Sequence, residues 1–195
     1  MSSILVCYGT TEGQTAKIAG RIADGLRERG HTVETVDLST ADPTDPTGYD
    51  AVLVGASIHV GSHQSAVRSF VDTHRETLAA RPTGFFQVCL SIVADDDATQ
   101  AEAARYVDEF IQATAWQPDR IAVFGGALRY SKYGFLKRQV LKRIAKDMTG
   151  DTDASRDYEY TDWEAVARFA ADFADFVEGE REPVESTPTG GPDRD

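Results

Sequence analysis

Lysine is scarce in this chain and unevenly placed. Of five lysines, four fall between residues 129 and 146, and Lys17 is the only other one. Cysteine is scarcer still: Cys7 and Cys89 lie far apart in apolar runs, with no CxxC pair and no zinc spacing. That excludes a disulfide scaffold and a zinc module, and reads as two core thiols in a reducing compartment. No apolar run approaches the roughly 18 residues of a spanning helix. The opening "MSSILVCYGTTEG" has no basic segment before its short apolar run, Ile4 to Tyr8, so a secretory leader is not expected. Internal repeats are absent.

What is present is acid. Against 20 Lys and Arg stand 32 Asp and Glu, a formal net charge of −12. Arg129, Lys132, Lys137, Arg138, Lys142, Arg143 and Lys146 form one basic segment with no acidic residue among them; without these seven cations the rest sums to −19. A surface so acidic and poor in lysine keeps a protein soluble, and it suits a high-salt, halophilic cytoplasm, the favoured reading. General nucleic-acid binding is excluded, because phosphates would be repelled everywhere except at that short patch. With 195 residues, 41% of them hydrophobic, one packed domain is expected.

Strand-like and helix-like runs alternate. Ile4–Tyr8, Thr32–Val36, Ala51–Ala56, Phe85–Ile92 and Ile121–Ala127 read as strands, mostly apolar throughout. Between them Thr15–Arg29, Gln64–His74 and Ala98–Ala113 carry helical spacing, and "TDWE" from Thr161 reads as a capping box opening a helix to about Val177. Strands separated by helices imply right-handed crossovers, hence a five-stranded, doubly wound, flavodoxin-like parallel sheet over residues 1–178 with helices on both faces. The tail, 179–195, turns to Glu, Pro, Thr and Gly and is expected to be disordered. Such sheets bind ligands at the carboxyl ends of their strands.

After the first strand comes Thr10, Thr11, Glu12, Gly13, Gln14, Thr15 and then helix. Backbone N–H groups, three hydroxyls and the positive helix end would meet a phosphate there. No Gly-Lys-Ser/Thr follows, so it is not a Walker loop. It resembles the Thr-x-Thr-Gly-x-Thr phosphate loop of flavodoxins, with Glu12 in place of the central threonine. The carboxylate must turn to solvent and leave its backbone N–H for the ligand. A receiver domain would place paired acids near this strand, and "ILVCYG" has none.

After the third strand, Ala56, Ser57, Ile58, His59 and Gly61 offer small residues and backbone polar groups to the edge of a flat flavin ring; after the fourth, Ser91 and its neighbours do the same. Neither loop holds the aromatic residue that sandwiches the ring in many carrier flavodoxins, which leans towards catalysis on an open flavin face. His59 is either a solvated loop histidine or a contact to flavin or substrate. His59 and His63 stand four apart without carboxylates, so no metal site is expected.

Three longer stretches, "LVGASIHVGSHQSAVRSFV", "WQPDRIAVFGGALRYSKYGFLKR" and "DYEYTDWEAVARFA", resemble the quinone-dependent protoporphyrinogen IX dehydrogenase family of bacterial haem biosynthesis, over Ile4 to about Val177. The resemblance implies FMN as cofactor, protoporphyrinogen IX as substrate, a membrane quinone as acceptor, and a long insertion after strand five, here Arg129 to about Asp157. It assigns no catalytic side chain. Within the insertion Leu136, Val140 and Ile144 make an apolar face beside the cations, giving a helix from Tyr133 to Met148. That helix would pack on the sheet, lie on an anionic membrane, or use Arg129, Lys132 and Arg138 to hold propionates. The expected location is cytoplasmic, at the inner face of the cell membrane. The rivals are a flavodoxin-type electron carrier, with the basic helix as docking surface, and an NAD(P)H:quinone reductase-like flavoprotein.

Overall fold

The computed structural model describes residues 1–40, 44–59, 61–93, 97–128 and 157–180. The Arg129–Lys146 basic segment, its expected helix and the tail beyond residue 180 lie outside the described residues.

Five parallel strands form the sheet: β1 (Ser3–Gly9), β2 (Thr32–Asp37), β3 (Ala51–His59), β5 (Thr83–Cys89) and β6 (Arg120–Gly125). Their spatial order is β2-β1-β3-β5-β6, in register through pairs such as Ile4↔Val33, Ile4↔Ala51, Val52↔Thr83 and Phe85↔Ile121. This is the doubly wound order expected from the alternation of elements. A two-residue strand, β4 (Ser62–His63), folds back antiparallel on the end of β3. A second small sheet pairs β7 (Ala127–Leu128) with β8 (Tyr158–Glu159). Neither β4 nor the small sheet has a hydrophobic period to announce it.

The helices are α1 (Gln14–Glu28), α2 (Ser65–Ala79), α3 (Asp97–Thr114) and α4 (Trp163–Gly179). Alternation along the strands divides the core. Ile4, Val6, Leu53, Phe86 and Val88 pack with α1 and α4 through Ile18, Ile22, Leu26, Phe169 and Phe173. Leu5, Cys7, Val52, Val54 and Phe85 pack with α2 and α3 through Val67, Val71, Val107 and Phe110. Burying each of the large apolar side chains stabilises the fold by roughly 1.5–3 kcal/mol relative to exposure. Both thiols are buried, as expected, and burial pushes both up, which disfavours the thiolate form.

Several boundaries differ from the sequence reading: the strand expected over Phe85–Ile92 spans Thr83–Cys89, with Ser91–Val93 a 3-10 turn, and the strand expected to end at Ala56 runs to His59. The helix expected to end at His74 runs to Ala79, and His74 is where its backbone leaves helical geometry (φ −109°, ψ 16°). The cap of α4 is Asp162, whose carboxylate accepts from the N–H groups of Glu164 (2.9 Å) and Ala165 (3.0 Å). Thr161 is committed elsewhere: its hydroxyl donates to the Gly125 carbonyl at 2.7 Å and accepts from Gln14 Nε2 at 2.8 Å.

Candidate functional site

The carboxyl ends of β1, β3, β5 and β6 all face one side of the molecule, as parallel strands require. Between β1 and α1, Gly13 adopts φ 94°, a left-handed conformation that favours glycine, and its N–H donates to Thr10 Oγ1 at 2.9 Å. As the N-cap of α1, Gly13 offers no side chain to cap the helix, and the first turn carries no acidic residue. Thr15 sits in that turn with no exposed surface, and its hydroxyl has no hydrogen-bond partner. A buried hydroxyl without a partner costs stability unless something arrives to use it. An anion bound at the open helix end is such a partner. Gln14 is also buried and is turned to Thr161, while Glu12 is partly buried.

The end of β3 is a hairpin. Ile58 and His59 pair with His63 and Ser62, and Gly61 turns the chain with φ 78°. Ser57, Ile58 and His59 are partly buried, Gly61 is exposed, and the Ala56 side chain is wholly inside the core, leaving only its backbone for a ligand. The hairpin hangs on His63. Its ring lies against Phe110 (centroids 4.7 Å apart) and Phe85 (5.7 Å), and Nε2 is 2.9 Å from Gln87 Oε1. Gln87, fully buried, donates through Nε2 to the Ala103 carbonyl at 2.8 Å, so its Oε1 accepts and His63 Nε2 carries the proton. Burial holds His63 down to about 4.

After β5, Ser91 opens a single 3-10 turn and is 7% exposed. Its hydroxyl donates to Glu102 Oε2 at 3.3 Å, and Glu102 also accepts from Arg105 (3.0 Å) and the Tyr106 hydroxyl (3.1 Å). The carboxylate on α3 thus fixes the turn that follows β5.

After β6, the β7–β8 ladder closes a stem across residues 128 and 158, and Tyr160 N–H donates to the Gly126 carbonyl at 3.0 Å. Glu159, on that stem, pairs with Lys17 of α1 at 2.8 Å and accepts from Trp163 Nε1 at 3.0 Å. The Lys17 ammonium holds the Glu159 carboxyl below its ordinary value. The isolated lysine is therefore paired beside the phosphate-type loop, and among the described residues the helix end and backbone are the loop's remaining positive elements.

Gln64 ties two of these ends together. Its Oε1 accepts from Ser57 N–H at 3.1 Å, and its Nε2 donates to Ser57 Oγ and, at 3.3 Å, to Thr11 Oγ1. Sequence reasoning missed Gln64, His63, Gln87 and Glu102 as supports of the site. Only Gln87, a lone polar residue within the apolar run Phe85–Leu90, carried a hint in the sequence. Arg129, Lys132, Lys137, Arg138, Lys142 and Arg143 lie outside the described residues. Among the described residues no cluster of His, Cys, Asp and Glu could hold a metal ion.

The arrangement offers hydrogen bonds, a helix end and backbone edges, with no activated nucleophile. It suits a bound group that brings its own chemistry. A family model described as a flavodoxin domain matches residues 5–155. The chain is 35% identical over 170 residues to protoporphyrinogen IX dehydrogenase [quinone] of Escherichia coli, covering 87% of this chain and 93% of that protein. It is 37% identical over 171 residues to the protein of the same name from Leishmania major, covering 87% and 74%. Among solved structures it is similar to a short-chain flavodoxin associated with a bacterial microcompartment, at 17% identity, with a TM-score of 0.56 and coverage of 91% and 99%. The chain belongs to the flavodoxin-domain family and, within it, to the oxidoreductases of the protoporphyrinogen IX dehydrogenase [quinone] group.

Proposed function

We propose that this protein uses FMN to oxidise protoporphyrinogen IX to protoporphyrin IX and passes the electrons to a membrane quinone. The observation that carries the cofactor is the buried, unpartnered Thr15 hydroxyl beneath an uncapped helix end. A terminal phosphate satisfies it, and riboflavin does not. Thr10, Thr11, Gly13, Gln14 and Thr15 would hold that phosphate, Glu12 contributing its backbone. Ser57, Ile58, His59, Gly61, the Ala56 backbone and the Ser91 turn would border the ring. When bound, FMN supplies hydride acceptance and two-electron release, which the chain's own side chains cannot. The chain's part is to bind, orient and leave one ring face open to a large tetrapyrrole substrate. The substrate and the quinone rest on the names of the E. coli and L. major relatives.

Among the described residues no helix is long and apolar enough to cross a membrane. Contact with the membrane that holds the quinone falls to the basic segment, as a peripheral attachment at its cytoplasmic face. Each cation near an anionic surface contributes roughly 1 kcal/mol. Cosedimentation with anionic vesicles that drops when Lys137, Arg138, Lys142 and Arg143 become Gln supports this attachment, and cosedimentation indifferent to those changes counts against it.

The deciding experiment is anaerobic stopped flow. The FMN-loaded protein is mixed with protoporphyrinogen IX, then with a soluble quinone. Bleaching of the flavin followed by recovery is expected. A flavin that protoporphyrinogen IX never bleaches, yet a flavodoxin reductase reduces, makes the protein an electron carrier.

A further inference from the structure

We infer that Gln64 is a positioning residue that couples the two ends of the flavin site, aiming the Thr11 hydroxyl at the phosphate while fixing Ser57 beside the ring. The inference rests on the FMN reading above and adds a residue to it.

Gln64 touches both loops. It precedes α2 in extended geometry (φ −61°, ψ 137°), and its side chain does not cap that helix. It reaches instead across the carboxyl ends of β1 and β3. Ser57 N–H can only donate, so the oxygen of the Gln64 amide must face it, at 3.1 Å. The amide nitrogen is thereby turned to Ser57 Oγ and to Thr11 Oγ1, and it donates to both. A hydroxyl that accepts from an amide has its own proton left to donate elsewhere. For Thr11 the acceptor in reach of its loop is the anion held at the start of α1. For Ser57, whose N–H is already taken, the hydroxyl is the remaining donor towards a ring edge.

The close approach is built in. A Cβ on Gly9, the last residue of β1, would lie 2.6 Å from Val67 Cγ2, 3.2 Å from Gln64 Cβ and 3.3 Å from Gln64 Oε1. Only a glycine there lets the start of α2 settle over the end of β1. One neutral side chain thus holds loops 46 residues apart in sequence, Thr11 and Ser57, in fixed relation. A carboxylate at the same position would accept from Ser57 N–H equally well. It would orient neither hydroxyl outward, and it would place charge near the phosphate.

The test is titration of the apoprotein with FMN and with riboflavin, read by flavin fluorescence, for wild type, Gln64→Ala, Gln64→Glu, Thr11→Val and the Gln64→Ala/Thr11→Val double variant. Thermal melting of each apoprotein runs in parallel. A hydrogen bond to an ionised group is the larger kind, so FMN affinity should fall about tenfold in Gln64→Ala and further in Gln64→Glu. Riboflavin affinity should fall by about threefold or less. In the Thr11→Val background, Gln64→Ala should cost FMN no more than it costs riboflavin, because the phosphate part of its effect passes through that hydroxyl. Equal losses for FMN and riboflavin in Gln64→Ala, or losses that add fully in the double variant, overturn the inference and leave FMN binding standing. A wild type that does not bind FMN overturns both.

Discussion

The two ends of the site are built from different materials. At β1, a short local segment does nearly everything: Gly13 turns, Thr10 braces the turn, and Thr15 waits with a buried hydroxyl. At β3 and β5, the backbone is held by residues far away. The hairpin after β3 depends on His63 meeting Gln87 and Gln87 meeting Ala103, and the turn after β5 on Ser91 meeting Glu102. A phosphate presents the same tetrahedron of oxygens in every complex, so a mostly local cradle serves, with Gln64 as its one brace from the start of α2. A ring edge must be met at a set distance from the substrate's approach, and that demands supports anchored in the core.

The contrast can be broken most strongly at Gln87. Gln87→Leu leaves the Ala103 carbonyl and the His63 ring nitrogen without partners in a dry setting, and should cost about 3–4 kcal/mol of stability in urea unfolding. FMN affinity should fall with it, because the hairpin loosens. Unchanged stability would mean that the buried network is not what holds the hairpin.

The next effect is a dependence on pH. The folded protein holds His63 at about 4, below the ordinary 6.5, so the neutral ring is the form that folding favours. Above about pH 6.5 this contribution is fully present. As pH falls from there towards 4, the unfolded chain takes a proton that the folded one refuses, and stability drops by up to about 3 kcal/mol. Among the described residues the groups against its ring, Phe85, Phe110 and Gln87, carry no carboxylate to offset the change. Carboxylates elsewhere titrate in the same window, so the quantity to measure is the difference between wild type and His63→Phe. A difference that stays flat from pH 7 to 4 would remove His63 from the account.

The smallest effect sharpens the other side. Thr15→Val replaces an unpartnered hydroxyl with a methyl of the same shape, and should leave the apoprotein equally stable or about 1 kcal/mol more stable. FMN binding should nevertheless weaken about tenfold. Opposite signs in stability and affinity are the mark of a group kept for a ligand. If both fall together, Thr15 is a packing residue.

This division also explains what could be read from the sequence. Period and composition carried the parallel sheet, because Ile4–Tyr8, Ala51–Ala56 and, Gln87 apart, Phe85–Cys89 are too apolar to lie anywhere but between two layers of helices, although the run expected to continue to Ile92 leaves the sheet after Cys89. The β1–α1 loop was legible for the same reason that it is local: its glycine, hydroxyls and helix start are six consecutive residues. The hairpin supports were not, since nothing adjacent to Gln87 in sequence tells it to bond Ala103. Thr161 shows the limit plainly. Its spacing to Glu164 matches a capping box, yet Asp162 takes the cap, because the Thr161 hydroxyl is held between Gly125 and Gln14. Long-range partners outbid a local motif that spacing alone supports.

The ladder of β7 and β8 has a consequence for how such a chain can change over time. It brings residues 127 and 159 together, as it does 128 and 158, so whatever is spliced between them leaves and re-enters through one doorway. The entropy of closing an excursion grows only with the logarithm of its length, about 0.6 kcal/mol for each doubling. Behind that doorway a segment can lengthen, shorten or exchange its charge at little thermodynamic expense to the sheet. Selection on what the protein meets at its surface can then proceed almost independently of selection on the cofactor cradle.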